Sequence, residues 1–106
     1  GMVKSIVAQT PGAISYLAFA YLDDSIKTIK LNGFEPTTEN VSTNDWPIWS
    51  YEHMYTKGEP DGLTKEFLDY MYSDEVQEGI VVSMGYISIN HMKVEKSADG
   101  VVSVKE

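Results

Sequence analysis

Cysteine is absent from all 106 residues, which excludes disulfide frameworks, thiol nucleophiles and cysteine-type zinc sites. Arginine is absent too, so the eight basic residues are all lysines and, against 16 Asp and Glu, they leave a net charge of −8. That balance argues against nucleic acid, whose phosphates are bound chiefly by Lys and Arg, and against a polybasic membrane patch. It does not exclude a small anion, because such sites use a few local donors, often backbone amides.

Long hydrophobic runs are also missing. No apolar stretch approaches the roughly 20 residues that a membrane helix needs, and no signal peptide is visible at the start. Gly1-Met2 is either a cloning scar or a native pair of residues. With 42% hydrophobic and 23% charged residues, the composition is that of a soluble globular protein: one small domain, or a piece of a larger one.

Helical periodicity is clearest in the second half of the chain. One apolar stripe comprises Leu63, Phe67, Leu68, Met71 and Tyr72, and a second comprises Val76, Ile80, Val81 and Met84. Asp74 is a candidate N-cap of the second helix and Gly85 its expected C′ residue. A helix carrying Val3, Ile6 and Val7 is expected to stop at Pro11-Gly12, and Thr37 is a candidate N-cap of a short helix after Pro36.

Three other stretches are predicted as strands: residues 13–20, which are apolar and aromatic; residues 26–31, which alternate and are closed by Asn32-Gly33; and residues 46–56, which are dense in aromatics. The tail, residues 92–104, is predicted as a β-hairpin or an extended arm around Asp99-Gly100. Strands alternating with helices indicate an α/β fold.

Candidate catalytic groups are scarce. The two histidines, His53 and His91, are 38 residues apart and fit no metal-ligand spacing. Glu52, Glu59 and Asp61 are close in sequence, but the segment around Gly58 to Gly62 is typical of a solvated turn.

Neither Ser15 nor Ser50 lies in a nucleophile elbow, and no Gly-rich phosphate loop is present. A small hydrolase using Ser, His and Asp therefore has no supporting motif. The aromatic residues could form a stacking platform, but core packing accounts for them better with so few basic residues nearby. The residues alone thus predict an α/β domain with no recognisable catalytic set.

Three ordered stretches carry a resemblance: residues 10–21 (TPGAISYLAFAY), residues 31–41 (LNGFEPTTENV), and the series 46–48 (WPI), 55–60 (YTKGEP) and 67–70 (FLDY). Together, over about residues 2–90, they resemble the C-terminal third of phosphate-binding proteins of the periplasmic-binding-protein class. The tail beyond Met92 is not expected to belong to the shared pattern.

The resemblance implies a fragment of a two-lobed, type 2 clamshell, with a short mixed sheet and flanking helices. All 106 residues would form one C-terminal segment of a solute-binding protein. Residues 1–45 would be the late part of the second lobe and the hinge, residues 46–91 the return to the first lobe, and residues 92–106 the tail. The crossing between lobes would fall between residues 31 and 49.

The implied function is capture of inorganic phosphate outside the cytoplasm, by a periplasmic protein or cell-surface lipoprotein, and delivery to the membrane permease of an ABC importer. No catalysis, cofactor, metal or nucleic-acid partner is expected. In the resemblance the Ser-Gly-Thr loop and Arg that contact phosphate lie upstream, so no ligand-binding residue is expected within this chain. The alternative is a protein-protein interaction or adhesion module of a surface protein. The isolated chain, with open strand edges, is expected to form a homo-oligomer or domain-swapped dimer.

Overall fold

Helices and turns account for most of the regular structure in a computed structural model that describes all 106 residues. Helix α1 spans Met2–Gln9, α2 spans Thr38–Ser42, α3 spans Gly62–Met71, and a π-helix spans Glu75–Val81. Strands β1, Val94–Lys96, and β2, Val102–Val104, form the sheet, and 3₁₀ turns lie at Phe19–Tyr21 and Ile89–His91. None of the helices is both long and apolar enough to cross a membrane.

Local signals set the helix ends. The stop after α1 is confirmed, since Gly12 takes a left-handed φ of 81°. The cap of α2 is also confirmed: the Thr37 hydroxyl accepts a hydrogen bond from the Asn40 N–H at 3.1 Å. The predicted cap at Asp74 is wrong. Its backbone is already helical, and its carboxylate is 3.3 Å from the Asn90 amide instead of capping the helix.

The turn that follows the π-helix depends on a glycine. Gly85 has φ 81°, and a Cβ placed on it would lie 3.0 Å from the Cα of Ala20. Both the backbone conformation and the close approach of the 19–21 turn therefore require glycine at the predicted C′ position.

The hairpin predicted for the tail is present. β1 and β2 pair antiparallel, with Val94 opposite Val104 and Lys96 opposite Val102. The Gly100 N–H donates to the Ser97 carbonyl at 2.9 Å, and Gly100 itself is left-handed with φ 85°. A three-residue loop with a left-handed glycine is a common hairpin connection.

The tail supplies two of the four buried apolar residues. Val41 from α2 packs with Met92 and Val94 from the tail, and these three are 3–8% exposed. Partly buried side chains surround them: Phe19, Trp46, Trp49, Ile87 and Val102. We call this set the hairpin core. The tail is therefore an integral part of the packed structure.

The three strands predicted at residues 13–20, 26–31 and 46–56 are wrong as paired strands. Residues 13–18 and 50–56 have no ladder partner, and residues 19–21 turn as a 3₁₀ helix. In the middle stretch only Leu31 pairs, with Phe34, across the predicted Asn32-Gly33 turn. A strand exists only through backbone pairing with a neighbour, and apart from the Leu31–Phe34 bridge no such pairing reaches these three stretches.

The α/β class is confirmed, with one small antiparallel sheet among helices. The packing is open. The radius of gyration is 16.4 Å, against about 13 Å for a compact domain of this length. The accessible surface is 8249 Å², about 2,300 Å² more than a folded monomer of 11.9 kDa exposes. Much apolar area thus faces solvent, including Leu63 and Phe67 on α3.

Candidate functional site

The densest polar cluster is centred on Glu78 in the π-helix. Its carboxylate accepts hydrogen bonds from the Ser88 hydroxyl at 2.9 Å and the Asn90 amide at 3.0 Å, and lies 2.7 Å from Nε2 of His91. Ser88 is fully buried and its hydroxyl also accepts from the Asn90 N–H at 3.1 Å. The sequence analysis missed this cluster, because nothing local in the sequence links residue 78 to residues 88–91.

Electrostatics agree with that geometry. Hydrogen bonds from Ser88, then Asn90 and His91, hold the pKa of the Glu78 carboxyl below its ordinary value. The neighbouring Gln77 bridges the same two elements: its side-chain amide donates to the Met71 carbonyl and its side-chain oxygen accepts from the Ile89 N–H. The cluster thus fastens the 89–91 turn to the π-helix and is structural.

His53 belongs to a row of rings along the extended segment. Its ring centroid lies 6.3 Å from that of Tyr51 and 6.0 Å from that of Tyr55, and Trp49 meets Tyr51 edge-on at 5.3 Å. Alternate residues of an extended chain point to one side, which explains the row. The two histidines have different neighbours: His53 lies between two tyrosines and His91 beside Glu78.

The other candidate groups are dispersed. Ser15 is exposed, and the Ser50 hydroxyl donates to the Tyr51 carbonyl, so neither serine meets a histidine. Glu59 and Asp61 line an open polar hollow at the start of α3, while Glu52 lies outside it. The structure brings together no group of three or more His, Asp or Glu that could hold a metal ion.

Lysines do not converge on an anion site. Lys4 pairs with Asp23, Lys30 with Glu35 at 3.0 Å, and Lys65 with Asp69. Lys96 lies over the Trp49 ring with Nζ 4.0 Å from its centroid. Only Lys57 adjoins the hollow, and there Glu59 and Asp61 offset its charge.

The least satisfied surfaces are two stretches of backbone, residues 14–18 and 50–56, which we call the open segments. No backbone N–H in either stretch donates a hydrogen bond. Ile14, Tyr16 and Tyr55 are 76–90% exposed. Unpaired extended backbone with exposed apolar side chains is what a sheet leaves when its neighbouring strands are missing.

A family model for the PBP superfamily domain matches residues 1–75, well over half of the chain. The chain belongs to the PBP superfamily. This confirms the resemblance drawn from the three ordered stretches.

Curated relatives agree with that assignment. The chain is 52% identical over 99 residues to "Phosphate-binding protein PstS" of Bacillus subtilis (strain 168), covering 92% of the chain and 33% of that protein. It is 31% identical over 93 residues to "Phosphate-binding protein PstS 2" of Streptococcus agalactiae serotypes V and III, covering 87% of the chain and 31% of each. The chain thus spans about a third of the length of these relatives.

The extent of the match corrects one prediction. Residues 92–106 were expected to lie outside the shared pattern, but a match over 92% of the chain omits fewer residues than those 15 and must include part of the tail. The packing gives a physical reason, since Met92 and Val94 are core residues. The alternation of Met92, Val94 and Lys96 was the sequence signal available for it.

Proposed function

We propose that this chain is the C-terminal part of an extracytoplasmic phosphate-binding protein that captures inorganic phosphate and delivers it to the permease of an ABC importer. The observation that carries the proposal is 52% identity, over nearly the whole chain, to a protein named for phosphate binding. The protein captures its ligand without transforming it. Two observations support this: Ser15 and Ser50 meet neither histidine, and the Ser88 hydroxyl, which bonds Glu78 beside His91, is fully buried.

The residues that hold phosphate belong to the two thirds of the relatives' length that this chain does not span. A dehydrated phosphate needs charge-assisted hydrogen bonds, for which Arg is well suited, and the chain has no arginine. Its lysines lie near carboxylates or over Trp49 at four positions. This chain contributes architecture: hinge, sheet edges and cleft wall.

We assign the parts of the chain to the two lobes as the resemblance implies. Residues 1–45 form the late part of the second lobe and the hinge, residues 46–91 return to the first lobe, and residues 92–106 are the tail. One open segment, residues 14–18, lies in the second-lobe part and the other, residues 50–56, lies in the first-lobe part. Each lobe therefore has an unpaired edge that strands from the rest of the protein would pair with.

Calorimetry on the full-length parent tests the function. Phosphate should bind reversibly and saturably, with no product formed. Silence with phosphate and a clear signal with sulfate or a sugar would overturn the specificity, and turnover of any ligand would overturn the assignment as a binding protein.

The 106-residue chain alone should bind phosphate weakly or not at all. It lacks the Arg-type partner, and each missing charge-assisted hydrogen bond is worth about 1.5–3 kcal/mol. The same titration checks this, and a micromolar dissociation constant for the isolated chain would contradict it.

In isolation the chain associates with other copies. The surplus surface of about 2,300 Å² exceeds the 1,200–2,000 Å² that a stable interface buries in total. Burying its apolar part would stabilise the associated state by about 25 cal/mol per Å². Exchange of the open segments in a closed two-fold dimer satisfies their backbone groups without a new fold.

A further inference from the structure

The turn at residues 31–34 contains a side chain and a backbone nitrogen that can react with each other. Asn32 and Gly33 join Leu31 to Phe34, which exchange backbone hydrogen bonds of 2.9 Å in both directions. Both central residues are exposed and left-handed, with φ 51° and 88°. We propose that Asn32 is a site of spontaneous covalent modification, at which the side-chain amide is lost through a cyclic imide formed with Gly33. The site itself does not rest on the proposed function.

Neither reacting group has a partner in the fold. The Gly33 N–H donates no backbone hydrogen bond, and the exposed Asn32 side chain forms none. Glycine has no Cβ, so the attacking nitrogen is unhindered. The surroundings are open too: apart from the adjacent residues, no heavy atom lies within 4 Å of the position that a Cβ would take on Gly33. The two groups are therefore free to meet when the turn opens.

Opening this turn requires little other structure to be lost. Ring closure brings the Gly33 nitrogen onto Cγ of Asn32, so the backbone must rotate out of its turn conformation. The two Leu31–Phe34 bonds oppose that rotation, but the bridge is isolated and continues into no ladder. The Lys30–Glu35 ion pair beside it is exposed on both sides and adds little. Local opening thus supplies the reactive geometry without unfolding the hairpin core.

The reaction needs no reagent other than water. The Gly33 nitrogen loses its proton and bonds to Cγ of Asn32, while the Cγ–Nδ2 bond breaks and the amide leaves as ammonia. Water then opens the imide at one of its two carbonyls. Attack at Cγ leaves aspartate, and attack at the backbone carbonyl leaves isoaspartate, in which the main chain runs through Cβ and Cγ. Nothing is oxidised: one amide and one water become one carboxylate and one ammonium.

The other three asparagines have bulkier successors and bound side chains. Their side-chain partners are the Glu35 carbonyl for Asn40, the Trp49 indole for Asn44, and the Asp74 and Glu78 carboxylates for Asn90. The N–H groups that follow Asn40 and Asn90 are bound as well. Only at Asn32 are the side chain and the following N–H both free, so the fold leaves one asparagine reactive.

Modification changes the turn in two ways. It adds a negative charge three residues from Glu35, and isoaspartate lengthens the main chain of a two-residue loop. With the longer loop, Leu31 and Phe34 cannot keep both bonds, because loop length selects the turn that closes a pair. In the proposed division this turn lies where the chain crosses between lobes, so an aged protein would differ from a new one at that crossing.

Ageing the protein in solution tests the site. The full-length parent and the 106-residue chain are held at mildly alkaline pH, digested and mapped by mass spectrometry, with chromatography to separate aspartate from isoaspartate peptides. Asn32 should lose its amide at least about tenfold faster than each other asparagine, which corresponds to a barrier lower by about 1.4 kcal/mol. Both products should appear, and the rate should rise with pH because the attacking nitrogen must first lose its proton.

A glycine substitution sharpens the test. Gly33→Ala should slow the loss at Asn32 at least about tenfold, because a methyl group hinders the attacking nitrogen. Gly58→Ala is the matched control: Gly58 has a similar left-handed φ of 83° and the same open space, but it follows a lysine. It should leave the rate at Asn32 unchanged. If Gly33→Ala does not fold, the comparison with wild type is repeated in urea, since hindrance by the methyl group does not need the turn.

Three results would overturn the proposal: an Asn32 that reacts no faster than the other asparagines, aspartate without isoaspartate, which indicates direct hydrolysis, or an unchanged rate in Gly33→Ala. Loss in the 106-residue chain but not in the full-length parent would also overturn it, since another part of the protein would then cover the turn. Phosphate binding is measured separately on the fresh parent. Its failure overturns the proposed function and leaves the modification site standing.

Discussion

The hairpin and the open segments both consist of extended backbone, but the backbone is paired in the hairpin and unpaired in the open segments. In the hairpin, two three-residue strands close across a tight turn, and Val94 and Val102 pack in the cluster of Val41, some 50 residues earlier. In the open segments, longer and more aromatic stretches stay unpaired and exposed. The open segments have the higher strand propensity, but the paired strands form in the hairpin. Availability of a neighbour, more than propensity, decides whether a strand forms.

The largest expected effect comes from truncating the hairpin core. Met92→Ala should lower the free energy of unfolding of the 106-residue chain by about 2 kcal/mol or more, since a buried methionine is lost. Tyr55→Ala, in an open segment, should change it by less than about 0.5 kcal/mol. Urea denaturation of the three proteins measures both values, and equal losses would show that the open segment is already packed.

Next in size is the loss of a buried hydroxyl. Ser88→Ala should cost about 1–2 kcal/mol, because it removes a fully buried hydroxyl that donates to Glu78 and accepts from the Asn90 N–H. Ser83→Ala is the control, since its exposed hydroxyl bonds only the Ile80 carbonyl. If both variants unfold at the same urea concentration, the Glu78 cluster does not stabilise the 89–91 turn.

The cap of α2 has a smaller effect. Thr37→Ala should destabilise the chain by about 1 kcal/mol, because the Asn40 N–H loses its acceptor at the helix start. That helix carries Val41 into the hairpin core. Thr38→Ala, one residue on with no side-chain bond, should be neutral. Chemical denaturation distinguishes them, and a neutral Thr37→Ala would mean that packing alone holds the helix.

The smallest effect is a pH dependence. The pKa of Glu78 is lowered in the folded protein, so its contribution is present above the ordinary value of 4.5 and is lost as pH falls through the folded value. Glu78→Gln removes that titration. The stability difference between wild type and variant should therefore be largest near neutral pH and shrink as pH falls below the ordinary value of 4.5. A difference that stays constant from neutral to acid pH in thermal unfolding would contradict it.

Local signals in the sequence predicted local structure. The stop at Pro11-Gly12, the Thr37 cap, the stripe of α3 and the hairpin at Asp99-Gly100 depend on residues within a few positions of one another, and all are present. The strands at 13–20, 26–31 and 46–56 required a partner that no local pattern supplies. The Glu78 cluster joins residues 10 to 13 apart through one buried serine, which no periodicity marks.

The sequence indicated the family of the chain, but it indicated no ligand-binding residue. Three short stretches in order were enough to indicate a solute-binding protein, because together they resemble phosphate-binding proteins of the periplasmic-binding-protein class. No ligand-binding residue was predicted within this chain, and arginine, whose planar group suits bidentate binding of phosphate, does not occur in it. The structure is consistent with that prediction, since Lys4, Lys30 and Lys65 each pair with a carboxylate and the lysines do not converge on one place.

The most direct measurement is the mass of the isolated chain in solution. Light scattering coupled to size exclusion, at about 0.15 M salt to screen the net charge of −8, should give a mass above 11.9 kDa that rises with concentration. Copies would then be covering each other's open segments in place of the rest of the protein. A stable 11.9 kDa species over a wide concentration range, with cooperative unfolding, would contradict the account: the chain would close its own core, and the open segments would need no partner.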